Sequence, residues 1–365
     1  MILKNCKLNE LVDSIKNKSI IIWGMGGYFE NCVKGNFPAE LVKNILFFVD
    51  QKGEGSSVEF CGRKIPLFSP NKLLEKTNYV IMITGTNFMY EIYKELEDMG
   101  LGDDIECYVY PLILAVSEGK ESKIVKDRIF SRSKDIKIPK VIHCFWFSRE
   151  KRPNEYQKCV DSWKRICPDY EICEWNINNY DYTQNHFMRQ AIEARKWAFA
   201  ADFARLDVVY RLGGIYMDMD VELIKPLDIL LNNEAFFTFD NMNNIDLATF
   251  GAKPQNRLLL RLMELYENVD FSSDTKTMNW LAQPRYIREA LMEIGLELNG
   301  DMQYIDGMAF LNRKYLSPKD SATYQLQVMT KDTIAIHHYN TGWRDNFKER
   351  RILNNVKMWE LVSKN

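Results

Sequence analysis

The residue types best able to do chemistry crowd into one run, Trp197–Glu222, WAFAADFARLDVVYRLGGIYMDMDVE. Asp218 and Asp220 form a D-x-D pair at the end of a short apolar stretch. On a strand, alternate side chains share a face, so Tyr216, Asp218, Asp220 and Glu222 point one way and Ile215, Met217, Met219 and Val221 the other. Two carboxylates placed like this make a hard, oxygen-only half-site for a divalent cation, which still needs ligands from a partner such as a diphosphate. Upstream, Asp202 and Arg205 stand one helical turn apart and share a face. The plain alternative is a solvated carboxylate pair and a surface ion pair of little consequence. The apolar company of these groups argues against it, because polar side chains on elements this apolar need partners.

The elements that must position them are legible in the same run. Ala198, Ala201, Ala204, Val208 and Leu212 recur at helical spacing, Gly213 and Gly214 stop the helix, and a strand follows. Three other segments bear on the site. IPKVIHCFWF (Ile138–Phe147) is too apolar for an edge strand and reads as the first buried strand of a parallel sheet, with His143 and Trp146 near its carboxyl end. CVDSWKRICPDYEICEWN, from Cys159, reads as a helix and a short strand closed by Asn176. AIHHYNTGW (Ala335–Trp343) follows an apolar run, and on a strand its His337 and His338 point to opposite faces, so at most one faces the carboxylates. The expectation favours His338, and an imidazole ligand suits manganese better than magnesium.

With its flanks, the run DFARLDVVYRLGGIYMDMDVELIKPL resembles the D-x-D sugar-transferase family that includes fungal initiating mannosyltransferases and many bacterial capsule and lipopolysaccharide enzymes. The large clostridial glucosylating toxins share it more distantly. Several separated motifs in the same order are more specific than one D-x-D. The resemblance implies an α/β glycosyltransferase domain of GT-A type, with a Rossmann-like mixed sheet, that uses Mn2+ or Mg2+. It places Trp146 against the nucleotide base, Asp202 and Arg205 on the donor sugar hydroxyls, and Trp343 over the donor phosphates. Asp220 would hold the metal, with Asp218 reaching the ribose or the metal, His338 as a further ligand, and Tyr216 near the diphosphate. It also implies transfer with retention of anomeric configuration.

The chain has 365 residues, enough for two domains with separate cores. In residues 1–114, the strand SIIIWG leads to Gly24, Gly26 and Gly27, and the strand ILFFVD ends in Asp50, as in a small Rossmann-like α/β domain with a nucleotide site. Phe29 stands where the third glycine of the full fingerprint belongs. This part resembles the small domain attached to various surface-polysaccharide enzymes; a scaffold or docking role is the alternative. Residues 115–137 turn charged and read as a linker, and 138–365 form the transferase domain. Within it, Asn241, Asn243 and Asn244 suit either sugar hydroxyls or ordinary turn chemistry, and Gln283, Pro284 and Arg285 fall on the expected acceptor side.

A net charge of −2 argues against nucleic acid as the main partner. The scattered 8 cysteines fit free thiols, and no stretch is apolar enough to span a membrane. A cytoplasmic location follows as the expectation, with peripheral association at the inner face of the membrane left open. The expected activity is transfer of a hexose or N-acetylhexosamine from a nucleotide sugar, UDP favoured over GDP, to a glycan or lipid-linked glycan acceptor in surface polysaccharide synthesis. Two other classes stay open. In a phosphatase or phosphotransferase, Asp218 would be the nucleophile and Asp220 the acid, although Glu222 fits that motif poorly. In a non-catalytic binding protein, the first domain would sense a nucleotide.

Overall fold

The computed structural model describes all residues except 27–28, 30–32, 34–36, 52–54, 76–77, 132–134, 273, 275–277, 279–285, 322, 324, 326, 341–346 and 365, together with the side chains of 347–350. Gly27, Gln283, Pro284, Arg285 and Trp343 therefore lie outside the described residues. The chain forms two compact units.

The first unit comprises Met1–Ser117, Asp320–Gln327 and Arg344–Asn365. Its strands are β1 (Ile2–Lys4), β2 (Ser19–Trp23), β3 (Ile45–Val49), β4 (Ser56–Phe60), β5 (Arg63–Phe68), β6 (Tyr79–Ile83) and β7 (Glu106–Val109). They run in the order β1-β7-β6-β2-β3-β5-β4, parallel throughout except for the β4–β5 hairpin. The continuous apolar runs Ile20–Trp23 and Tyr79–Ile83 are buried, as parallel strands covered on both faces require. The strand order turns back at β2, which lies between β3 and β6. Gly24 follows β2 at φ +117°, and a Cβ there would stand 2.6 Å from the Gly85 nitrogen, so only glycine lets the ends of β2 and β6 approach. Phe29 is fully buried against Phe48 and Phe60, a core role for the residue that interrupts the glycine fingerprint.

The expected domain boundary at 138–365 changes at both ends. The carboxyl-terminal helix Phe347–Val362 packs on the helix Met89–Asp98 of the first unit, where Met358 and Val362 join Met89 and Leu96 in one core and Asn354 donates to Glu91 at 2.7 Å. At the other end, part of the expected linker is folded into the second unit. Ser122 caps the helix Lys123–Ile129, and Ile129 is fully buried.

The second unit comprises Glu118–Lys319 and Val328–Trp343. Its strands are β8 (Val141–Phe145), β9 (Glu171–Trp175), β10 (Gly214–Met217), β11 (Val221–Leu223), β12 (Ala235–Phe239), β13 (Ile245–Ala252), β14 (Gln303–Ile305), β15 (Met308–Leu311) and β16 (Ala335–His337). The main seven-stranded sheet has the order β14-β15-β12-β13-β10-β8-β9, and β11 pairs with β16 in a separate two-stranded ladder. The main sheet is mixed: β10 is parallel to β8 and antiparallel to β13.

The helix Trp197–Leu212 ends at Gly213, as its sequence predicts. From Phe199 to Val209 it is buried on every side, which is why its apolar residues form no single stripe. The turn into β10 is tight, since a Cβ on Gly214, at φ +100°, would meet the Val141 carbonyl at 2.7 Å. Two core clusters flank this region. Tyr216 lies in one, and Ile215, Met217, Met219 and Val221 in the other.

Candidate functional site

The expected strand through the aspartates stops early. β10 ends at Met217, and Asp218–Asp220 make a turn in which the Val221 N–H donates to the Asp218 carbonyl at 3.0 Å. The alternation survives in its consequence, because Met219 is buried while Asp218 and Asp220 project together. The turn is held from outside: the Asp218 N–H donates to the Ala248 carbonyl at 2.8 Å, and the Asn340 N–H donates to Asp220 Oδ2 at 2.7 Å.

The β11–β16 ladder brings in the third member. Its register sets Val221 opposite His337, so His337 arrives beside Asp220. One ligand atom each from Asp218, Asp220 and His337 lie within 4.8 Å of one another. This corrects the histidine expectation. His338 turns away and pairs with Glu222 at 3.0 Å, while its N–H donates to the Asp220 carbonyl at 2.9 Å. His337 Nε2 stands 3.6 Å from Asp220 Oδ1, and His337 Nδ1 is 2.9 Å from Asp246 Oδ2. Which histidine faces inward depends on where the ladder begins, and that is a pairing between distant segments.

Arg205 ties the helix to the turn. Its guanidinium is 3.2 Å from Asp202 Oδ1 and 3.6 Å from Asp218 Oδ2, donates to the carbonyls of Ala201 and Leu247, and lies 4.7 Å from the centre of the Tyr216 ring. The Tyr216 hydroxyl donates to Asp218 Oδ1. Asp202, Arg205 and Asp220 are all buried. Buried charges persist only when paired, and this chain of pairs supplies the partners. At Asp202 and Asp218 burial outweighs the pull of the pairing. Burial lifts the Asp202 carboxyl to about 7, opposed by Arg205 and aided by Asp218. Asp218 is also raised, by burial and by Asp220, against the pull of Arg205. Burial works against charge on His337, but Asp246 and Asp220 outweigh it and lift the imidazole to about 9.

Two carboxylates and an imidazole nitrogen suit Mn2+ or Mg2+, with the nitrogen favouring manganese, and three protein ligands leave positions for phosphate oxygens. The residues fit such an ion. Asp218, whose charged form is disfavoured by burial and by Asp220, gains most from a cation placed between the two.

Around this centre, Trp146 is half-buried beside Tyr156, whose hydroxyl donates to the Asn340 carbonyl at 2.8 Å, and near the guanidinium of Arg152. His143 is structural: its Nδ1 accepts from Trp175 at 3.2 Å, so Nε2 donates to the Gly213 carbonyl at 2.9 Å and pins the helix–strand turn. Asn176 caps its own turn through Asn178 and Asn179. Asp240 accepts from the backbone of Met242 and Asn244, so the segment holding Asn241, Asn243 and Asn244 is a turn closed by its own carboxylate. Arg288 donates to the Asn244 side chain at 3.0 Å.

Two further residues here escaped the sequence reading. Asp246 is the one charged residue inside the buried strand IDLATFGA, and that mismatch was the available signal. Lys319 Nζ donates to the His338 carbonyl at 3.1 Å; burial lowers its pKa while Asp220 opposes the shift. No sequence spacing marks Lys319.

In the first unit, Gly24 and Gly85 are in close contact at the carboxyl ends of β2 and β6, Gly26 faces open space, and Asp50 follows β3. No cluster of three potential metal ligands occurs there among the described residues.

Residues 153–237 match the family model described as "Glycosyltransferase sugar-binding region containing DXD motif", a span that contains Asp202, Arg205, Asp218 and Asp220. The chain is 29% identical over 158 residues to inositol phosphoceramide mannosyltransferase 1 of Schizosaccharomyces pombe, covering 40% of this chain and 45% of the relative. It is 26% identical over 157 residues to alpha-1,4-N-acetylglucosaminyltransferase of Homo sapiens, covering 43% and 40%. The chain thus spans less than half the length of these curated relatives. Among solved structures it is similar to PaToxG glycosyltransferase (18% identity, 50% of this chain and 79% of that one, TM-score 0.35) and to the galactosyltransferase LgtC (12% identity, 60% and 95%, TM-score 0.30). Residues 153–237 are thus similar to the D-x-D sugar-binding region of glycosyltransferases.

Proposed function

We propose that the protein is a metal-dependent glycosyltransferase of GT-A type that moves a hexose or N-acetylhexosamine from a nucleotide sugar, UDP favoured over GDP, to a glycan or lipid-linked glycan acceptor in surface polysaccharide synthesis. The observation that carries this reading is the convergence of Asp218, Asp220 and His337 at one point, with Arg205 linking Asp218 to Asp202. Asp218, Asp220 and His337 would hold Mn2+ or Mg2+, which when bound supplies Lewis-acid stabilisation of the diphosphate leaving group. Arg205 presents a fixed fork of donors and Asp202 an acceptor, a pair suited to sugar hydroxyls. The helix and turn hold these groups in place before substrate arrives, so little reorganisation is left for the reaction. Trp146 and Tyr216 are assigned to the donor, on the base and beside Asp218 respectively.

The reaction is retaining in this reading. The bond from the anomeric carbon to the phosphate oxygen breaks, the acceptor oxygen attacks from the same face, and its proton passes to the leaving phosphate oxygen. The place of action is the cytoplasm, at or near the inner face of the membrane. No helix among the described residues is long and apolar enough to cross a membrane.

Hydrolysis of UDP- and GDP-sugars by the purified protein with Mn2+ tests the reading. Slow nucleotide release from one donor, lost on chelation and in Asp220→Ala, is expected. A folded protein that binds Mn2+ yet releases nucleotide from no donor would overturn it, and a β-linked product by NMR would overturn retention.

A second nucleotide site on Gly24, Gly26 and Asp50 is favoured by one observation: strand order turns back at β2, where open parallel sheets bind ligands, and Asp50 follows the adjacent β3. Calorimetry on the full chain should then find two nucleotide equivalents, one of them lost in Asp50→Ala. A single equivalent, unchanged by that substitution, removes the site.

A further inference from the structure

We infer that Asp246 is the positioning residue of the metal centre: it holds the proton of the His337 imidazole on Nδ1 and so aims the Nε2 lone pair at the space between Asp218 and Asp220. The inference rests on the metal reading above and adds to it a residue outside the D-x-D motif.

Asp246 enters from β13, and its side chain is almost wholly buried. Oδ2 faces His337 Nδ1 at 2.9 Å and accepts from Ser317 Oγ at 2.9 Å; Oδ1 accepts from the Ala248 N–H at 3.0 Å. The carboxylate is thus anchored from three directions and cannot swing with the ring. The imidazole is confined as well, its ring lying 3.9 Å, centre to centre, from that of Tyr339, whose hydroxyl bonds to Ser317 at 2.7 Å.

An ionised carboxylate only accepts hydrogen bonds, so the ring nitrogen facing Asp246 must carry hydrogen. Nε2 faces Asp220 instead. Without Asp246, Asp220 would be the nearest strong acceptor and would draw the remaining proton of a neutral ring onto Nε2, which would then be unable to ligate. Asp246 removes that competition, as a carboxylate behind a metal-ligating histidine does in general. When the ion-free ring carries both protons, Asp246 also determines which one is lost on ligation.

Mn2+ titration of the full chain, read by the electron paramagnetic resonance signal of the free ion, tests this in a cycle of wild type, Asp246→Ala, His337→Ala and the double variant. Asp246→Ala is expected to weaken Mn2+ binding about 10–100-fold. In the His337→Ala background the same substitution should change little, because its effect passes through the imidazole. An unchanged affinity in folded Asp246→Ala, or an equal loss with and without His337, overturns the positioning role. Should the alanine variant fail to fold, the isosteric Asp246→Asn completes the same cycle with an intermediate loss expected. A wild-type protein that takes up no Mn2+ overturns the metal reading itself, an outcome distinct from wild-type binding that is insensitive to Asp246.

Discussion

Both units place the carboxyl ends of parallel strands at an edge, and the two edges differ in what the chain puts there. In the first unit, β2 and β6 end in glycines close enough to exclude a side chain, and Phe29 fills the core where a fingerprint glycine would stand. In the second, β10 ends in a turn with Asp218 and Asp220, a helix supplies Asp202 and Arg205, and two distant strands add His337 and Asp246. Backbone architecture is common to the two; among the described residues, buried charge is found at the second edge. Paired charge under apolar cover carries a cost that folding alone does not require, so its presence marks the second edge as a place built for chemistry.

The sharpest way to break the contrast is to remove the charge that ties the second edge together. Arg205→Met leaves Asp202 and Asp218 without their shared cation and is expected to cost about 3–5 kcal/mol of stability, read by denaturant unfolding, along with donor hydrolysis. Unchanged stability would mean that the two carboxylates do not depend on Arg205.

Asp220→Ala acts on the reaction more than on the fold. Donor hydrolysis should fall about 10²–10³-fold, with the far-ultraviolet circular dichroism unchanged. Gly24→Ala probes the first edge: the φ of +117° and the contact with Gly85 predict a loss of about 1–3 kcal/mol, seen as faster amide exchange in β2 and β6. Full retention of protection would show that the glycine serves something other than packing. The smallest effect belongs to Tyr216→Phe, which deletes one hydrogen bond to Asp218 and should cost about 1.5 kcal/mol by the same unfolding measurement.

The local features of the site were legible in the chain. Helical spacing from Ala198 to Leu212 and the glycines after it predict the helix and its stop, because both are set by near neighbours. The shared direction of Asp218 and Asp220 was legible too, although the strand yields to a turn between them. Long-range pairings were not. His337 rather than His338 faces the aspartates because Val221 pairs with His337, and one residue of slip would exchange them. Asp246 could be suspected only as the one charged residue in a mostly apolar strand; its partner is ninety-one positions away. The boundary at 138–365 missed the closing helix because an amphipathic helix does not state which sheet it covers.

The β11–β16 ladder also sets a time at which the centre can exist. His337 is made 117 residues after Asp220, and at about 5–20 residues per second of synthesis the interval is on the order of 6–25 s. During that interval a nascent chain can already hold both aspartates, the helix with Arg205, and β13 with Asp246, yet lack the imidazole. On the proposed metal reading the ligand set is therefore complete only once His337 has been made, and a ribosome stalled before Ala335 would carry a chain with its carboxylates assembled and its nitrogen ligand still unmade.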